Sequence, residues 1–430
     1  MINISLLREK SEQVKKSEKK RGHDPKLVDE ILRLDQQWKK ELQKKEQLNH
    51  QRNVVSQDIN KAKKEKNEKV AKNKIKEMKD VVEEIKTLEE KANESLKKRD
   101  DLLKKVGNIL DEKVPLGKDD SDNVEVKKSG KIPKFKFPIK DHIELGLELG
   151  LIDLDTAAKV SGARFFYLKN EAVLLDFALQ KFAMDRLIAK GFSLHWPPFM
   201  LNKKALEGGV NLSEFEDTIY KIENEDLYLI GTSEHPLIAL KQNQFIPEKE
   251  LPLKIGGVST CFRKEAGSHG RDSKGIFRVH QFNKIEQVVY CLPKESDKFF
   301  KELQKNSEEL FKELGIPFRV VNVCTGDIGN KQALQYDIEA WFPAQNEKKG
   351  AYREVTSCSN CTDYQAVTLG TKFIAVNGEK GYVHMLNNTA IATSRAIVAI
   401  MENFQTKEGT IKIPEVLWPY MNGMKEIGKK

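Results

Sequence analysis

The sequence predicts an α+β protein, with an antiparallel helical hairpin at the N-terminus and then a body built on a mainly antiparallel β-sheet flanked by helices. Three observations predict it. Across the first 110 residues apolar side chains recur every three or four positions, the period of an amphipathic helix. Beyond residue 140 short apolar runs bounded by turn residues alternate irregularly with helical stretches, as in an antiparallel sheet with inserted helices. The net charge of +9 lies wholly in residues 1–110, which carry 30 Lys and Arg against 21 Asp and Glu, while the rest carries 44 of each. A basic module on a neutral body fits a protein that holds a polyanion with one part and does chemistry on it with the other.

With 430 residues, 39% of them hydrophobic, the chain can bury cores for two or three domains. MINISLLREK lacks the basic start and apolar run of a signal peptide, and nowhere do about 18 apolar residues run together, so a cytoplasmic protein without a membrane partner is expected. Five cysteines, an odd number in a long chain, argue for reduced thiols. Cys358 and Cys361 form the only CxxC, and no zinc is expected there because a tetrahedral site wants four ligands.

Taken in order, KKSEKKRGHDP (Lys15 to Pro25) predicts a short helix, a glycine turn and a second helix starting near Pro25. Leu27, Ile31, Leu34, Trp38, Leu42, Val55 and Ile59 then give one leg of the hairpin, and Ile75, Met78, Val82, Ile85, Ala92, Leu96, Leu103, Val106 and Leu110 the other. Legs of about 35 residues would be roughly 50 Å long. A dimerising coiled coil has the same periodicity. Seven lysines between Lys61 and Lys74, opposed only by Glu65 and Glu68, favour a tip that meets an anion. Residues 111–140, with Pro115, Gly117, DDSD and KIPKFKFPIK, read as a linker running into the first strand of the body, which occupies 141–430. Ala172 to Lys190 predicts a helix, and 227–230, 288–292, 318–323 and 373–376 predict strands.

The body's chemistry concentrates in CFRKEAGSHGRDSKGIFRVHQFNKIE, from Cys261 to Glu286. It predicts a hairpin with strands Ser259–Lys264 and Ile276–Ile285. Strand alternation puts Arg263 and Glu265 on one face, and Arg278, Phe282 and Glu286 on one face of the return strand. A surface salt-bridge ladder would explain single Arg/Glu pairs, whereas an aromatic ring set between them also supplies a stacking plate, phosphate contacts and acceptors for amino groups. Neither GxxxxGK[ST] nor GxGxxG occurs, so a bound nucleotide would be held by arginines. Suitable companions are IGTSEHP (Ile230 to Pro236), REVTSCSNCTDYQ (Arg353 to Gln365) and the helix of NNTAIATSRAIVAIMEN (Asn387 to Asn403), which bears Arg395.

Together these segments resemble a class II aminoacyl-tRNA synthetase, and specifically a seryl-tRNA synthetase of the eukaryotic cytosolic type. HWPPFM at 195–200 resembles motif 1, the stretch 259–287 motif 2, and 384–405 motif 3; GTSEHP resembles the seryl TxE signature, and the N-terminal segment the family's tRNA-binding arm. The resemblance implies activation of L-serine by ATP with Mg²⁺ to seryl-adenylate, then transfer to tRNA(Ser) with release of AMP and pyrophosphate, in a homodimer whose arm reads the long variable arm of the tRNA. By match, Arg263, Glu286 and Arg395 would be the catalytic residues. Arg263 would bridge the serine carboxylate and the α-phosphate, Glu265 accept from the adenine amino group, Phe282 stack on adenine, and Arg395 clamp the γ-phosphate. Lys264, Arg278, Val279 (through its backbone), Val355, Thr356 and Ser357 would complete the ATP site, with Glu354 holding Mg²⁺ beside Ser357. Thr232, Ser233 and Glu234 would meet the serine amino group, and Glu286, Asn387 and Thr389 would lie near its hydroxyl. The loop 266–275 would order over ATP. Two positions depart from the family: Val367 and Thr368 stand where an arginine pair is usual. A non-catalytic, synthetase-like RNA-binding protein is the alternative reading.

Overall fold

In the computed structural model, which describes residues 1–210, 216–265 and 274–428, the chain divides into two units, Met1–Ile109 and Leu110–Lys430. The first is helical: α1 (Ile4–Lys20), α2 (Lys26–Lys64) and α3 (Glu68–Leu103). Helices α2 and α3 pair within the chain, joined by Arg99–Asp35 (2.9 Å), Ser95–Glu41 (2.9 Å), Lys45–Glu89 (2.8 Å) and Lys74–Asp58 (3.2 Å). The periodicity therefore reports a hairpin closed on itself. Its tip is sharp: Lys66 has φ +55°, and the Asn67 side chain caps the Val70 N–H at 3.2 Å, so the lysine-rich segment forms the facing ends of both helices.

Two expectations in this unit are corrected. Helix α1 begins at Ile4 instead of near Lys15, capped by Asn3, because Leu7 and Val14 bury completely and Arg8 reaches Asp35 with two nitrogens (2.9 and 2.7 Å). Helix α3 stops at Leu103 instead of Leu110. The Arg21 guanidinium donates to the Asn108 carbonyl (3.1 and 2.9 Å) and Glu18 accepts from the Gly107 N–H (3.0 Å), which draws the chain off the helix axis. A Cβ on residue 107 would stand 2.6 Å from Arg21 Nε, so this approach needs glycine.

The second unit is organised by an eight-stranded sheet: β1 (Val124–Ser129), β2 (Ser193–His195), β3 (Leu253–Phe262), β4 (Gln281–Cys291), β5 (Phe318–Asn322), β6 (Leu334–Phe342), β7 (Ala351–Asn360) and β8 (His384–Ala392). Their order is β1-β5-β6-β7-β8-β4-β3-β2, and only β2 and β3 run parallel. Helices α4 (Glu171–Ala189), α5 (Glu234–Ala239), α6 (Ser296–Glu313), α7 (Tyr364–Leu369) and α8 (Thr393–Asn403) pack around it. Along β4, Ile285, Val289 and Cys291 enter the main core with Phe182, Leu303 and Ile397. On the other face Val288 and Tyr290 join a smaller core with Leu237, Ile238, Ala366 and Leu369 of α5 and α7. The same face carries Phe282, Lys284 and Glu286 by alternation. Among the described residues no helix is long and apolar enough to cross a membrane.

Candidate active site

The predicted hairpin is shorter than expected at its loop end. Strand β3 stops at Phe262 and β4 starts at Gln281, because the His280 N–H turns away to the Arg164 carbonyl (3.1 Å) and leaves the ladder. One backbone bond, from the Arg263 N–H to the His280 carbonyl (2.9 Å), closes the end, and His280 Nδ1 lies 2.8 Å from the Arg263 carbonyl. Arg263, Lys264, Glu265, Arg278 and Val279 thus stand beyond the pleat, where alternation does not set their direction. Glu265 has φ +50°, with its carbonyl held by Arg164 at 3.0 Å and its carboxylate 4.0 Å from Arg278. Lys264 Nζ lies over the Tyr220 ring (5.9 Å), and Val279 is buried. Most of the loop expected to order over ATP, residues 266–273, lies outside the described residues.

Arg263 ties two segments together. Its Nε donates to the Gly231 carbonyl (3.1 Å), just before Thr232, and its guanidinium sits 5.3 Å from the centre of the Phe282 ring. Thr232 Oγ1 accepts the Glu234 N–H (3.1 Å) at the start of α5, and Ser233 is wholly buried against Gly257, where a Cβ would come within 2.6 Å of its Oγ. Glu234 accepts from Lys331 Nζ (2.6 Å) and Gln365 Nε2 (2.8 Å). Burial opposes its charge, but the fields of Lys331 and His235 with these two hydrogen bonds bring the carboxyl down to about 2. Burial takes the neighbouring His235 imidazole down to about 3, so it is neutral at physiological pH.

Glu286 is buried at the far end of the same face. Register places it opposite Thr389, whose Oγ1 donates at 3.3 Å, and Lys284 Nζ stands 2.5 Å from it. Burial raises its carboxyl from the ordinary value, while Lys284 works against that and the charge of Glu234 adds to it. Register also sets Glu286 opposite Gly257, against which Ser233, next to Glu234, is packed. Asn387, also buried, points Nδ2 towards Cys361 Sγ (3.8 Å). Its neighbour Asn388 has a packing role, donating to the Leu303 carbonyl and Ser307 Oγ of α6.

Glu354 and Ser357 are three residues apart, an odd spacing that should put them on opposite faces. A bulge corrects this: Ile338 pairs with Thr356 and Glu339 with Glu354, leaving Val355 as the extra residue. Val355 and Thr356 turn into the interior, while Ser357 and Glu354 share the face of Asn387, since Asn387 pairs with Ser359. Arg395, in the first turn of α8, donates to the Glu354 carbonyl (2.7 Å), lies 3.4 Å from its carboxylate and stacks over Phe277 at 5.0 Å. Behind them Asp337 is pushed well above the carboxylate range, first by burial and then by Glu354, and accepts from Gln335 and Ser357. Among the described residues no three His, Cys, Asp or Glu side chains form a metal-ligand group.

Lys284 and Lys331 did not figure among the expected site residues. Lys284 was detectable, as a lysine at even spacing between Phe282 and Glu286 in an apolar strand. Lys331, 97 residues from Glu234, carries no local signal. The departures Val367 and Thr368 are half-buried on α7 and leave the Gln365–Glu234 bond in place.

Comparison with known proteins identifies the family. The family "tRNA synthetase class II core domain (G, H, P, S and T)" matches residues 216–404, and "Seryl-tRNA synthetase N-terminal domain" matches 1–110. A serine–tRNA ligase of Methanocella arvoryzae is 48% identical over 99% of this chain and 100% of its own. The seryl-tRNA synthetase of Pyrococcus horikoshii, solved with ATP, superposes with a TM-score of 0.92 at 47% identity over 100% of both chains. The cytoplasmic serine–tRNA ligase of Naegleria fowleri, solved with AMP, gives 0.88 at 37% over 100% of this chain and 99% of that one. Identity is thus higher to archaeal relatives than to this eukaryotic one, and the expected eukaryotic cytosolic subtype is not established by them. The chain belongs to the seryl-tRNA synthetase family of the class II aminoacyl-tRNA synthetases.

Proposed function

We propose that the chain attaches L-serine to tRNA(Ser) through a seryl-adenylate made from serine and ATP. The observation that carries this reading is a sheet face bearing an aromatic ring with an arginine over it and a buried carboxylate, with a second buried carboxylate at the start of α5 and a Glu–Arg pair at the head of α8, in a chain matched end to end by enzymes of that name. Arg263 spans the serine carboxylate and the α-phosphate, Phe282 stacks on adenine, Glu265 accepts from its amino group, and Arg395 neutralises the γ-phosphate. Lys264, Arg278 and the backbone of Val279 support the nucleotide. Glu234 with Thr232 receives the serine ammonium, and Glu286 with Thr389 and Asn387 receives its hydroxyl. Both steps are displacements that need positioning and charge neutralisation more than covalent help from the protein.

Magnesium fits this donor set. It takes one or two carboxylates together with substrate phosphates, and Glu354, half exposed beside Arg395, with the Ser357 hydroxyl could hold it. Bound there, the ion would neutralise phosphate charge. The basic helical unit binds the variable arm of the tRNA, and the chain works as a homodimer, a reading supported by Leu174, Phe177 and Ile188, large apolar side chains exposed on α4. Charging of a tRNA(Ser) transcript with labelled serine, dependent on ATP, is the test; absence of charged tRNA with folded protein would refute the reading.

A further inference from the structure

Among the described residues the two buried carboxylates of the pocket are tied in the same manner, each by one oxygen only. On Glu286 both contacts, from Lys284 Nζ (2.5 Å) and Thr389 Oγ1 (3.3 Å), fall on Oε2. On Glu234 both contacts, from Lys331 Nζ (2.6 Å) and Gln365 Nε2 (2.8 Å), fall on Oε1. Each acid therefore has one oxygen held by a lysine ammonium and a neutral donor, while the other oxygen is used by neither. The lysines come from unrelated places, Lys284 from the same strand as its acid and Lys331 from the turn before β6.

We propose that Lys284 and Lys331 are positioning residues for the amino acid: each anchors one carboxylate oxygen so that the other is presented to serine, at the hydroxyl by Glu286 and at the ammonium by Glu234. The proposal rests on the reading of those two acids as serine contacts. Its physical basis is preorganisation. A carboxylate on a flexible stem can turn either oxygen to several partners, and fixing one oxygen removes that freedom before the substrate arrives. It also bears on selectivity. An anchored Glu286 has no way to swing aside when alanine replaces serine, so its acceptor is left buried and unpaired, whereas an unanchored one could relax.

Charge balance gives the second argument. Two buried carboxylates in one enclosure oppose each other's ionisation. Two lysines cancel them, which leaves Arg263 as the surplus cation for the groups that carry the substrate's negative charge. Such a pocket suits a zwitterion: the ammonium and carboxylate of serine enter without leaving a net buried charge beyond the one Arg263 meets.

The test is serine-dependent exchange of pyrophosphate into ATP by the full chain carrying Lys284→Met, Lys284→Arg or Lys331→Met, with Glu286→Ala as control. Both Met variants are expected to raise KM for serine at least about tenfold with KM for ATP within about twofold. Lys284→Met should also narrow the preference for serine over alanine, and Lys284→Arg should restore most of the serine KM. The proposal falls if the Met variants leave KM for serine unchanged, or if the Arg variant is as impaired as the Met variant and both substrates' KM values rise together. Near-normal exchange by Glu286→Ala would instead overturn the serine-pocket reading itself.

Discussion

Phe282 and Glu286 lie four residues apart on one strand and share a face, with adenine proposed at the first and serine at the second. The shared face was legible because period-2 alternation holds inside β4. Arg278 and Arg263 were not legible in the same way, since the pleat ends at Gln281 and Phe262, where the His280 N–H leaves the ladder for the carbonyl of Arg164, far away in sequence. Lys284 and Lys331 were missed for a related reason: lysine ordinarily reads as solvated surface, and only three-dimensional proximity turns Lys331 into a partner of Glu234. At this scale the expected outcomes are distinct. Phe282→Ala should raise KM for ATP about tenfold, as expected for loss of one base–aromatic stack, with little change in KM for serine, measured by pyrophosphate exchange. Glu286→Ala should abolish serine-dependent exchange.

At the scale of elements, two devices shape the site. The bulge at Val355 brings Glu354 to the face of Ser357, and no sequence pattern announces it, because a bulge is a mismatch of register between two strands. Glu354→Ala should reduce exchange by at least about a hundredfold, the order lost with a transition-state charge contact; circular dichroism would check that the sheet survives. The arm is the opposite case. Its helices were legible over most of their length from apolar spacing alone, and only their ends were misplaced, where Arg21 and Glu18 satisfy backbone groups of residues 107 and 108. Deleting residues 28–107 is expected to leave adenylate formation within a few-fold while charging of tRNA falls by at least about a hundredfold; equal loss of both would refute the division of labour.

For the whole molecule, charge segregation and an apolar face make two statements. The excess of positive charge in residues 1–110 implies binding of tRNA through phosphates, so affinity measured by filter binding should fall linearly with salt on a logarithmic scale. If the stripe of Leu174, Phe177 and Ile188 is the subunit contact of the proposed homodimer, Phe177→Glu should shift the mass in sedimentation from dimer to monomer. An α+β body was readable from the alternation of short strands and helices, yet the strand order was not, because it is set by pairings across as many as 200 residues, such as β1 with β5. The central claim is that Glu234, Arg263, Phe282 and Glu286 form one pocket that joins serine to ATP. The most direct measurement is exchange of labelled pyrophosphate into ATP with each of serine, alanine and threonine, in the absence of tRNA. Exchange with serine, exceeding that with the other two by at least about a thousandfold, is the predicted result, and exchange that is absent or indifferent to the amino acid would contradict it.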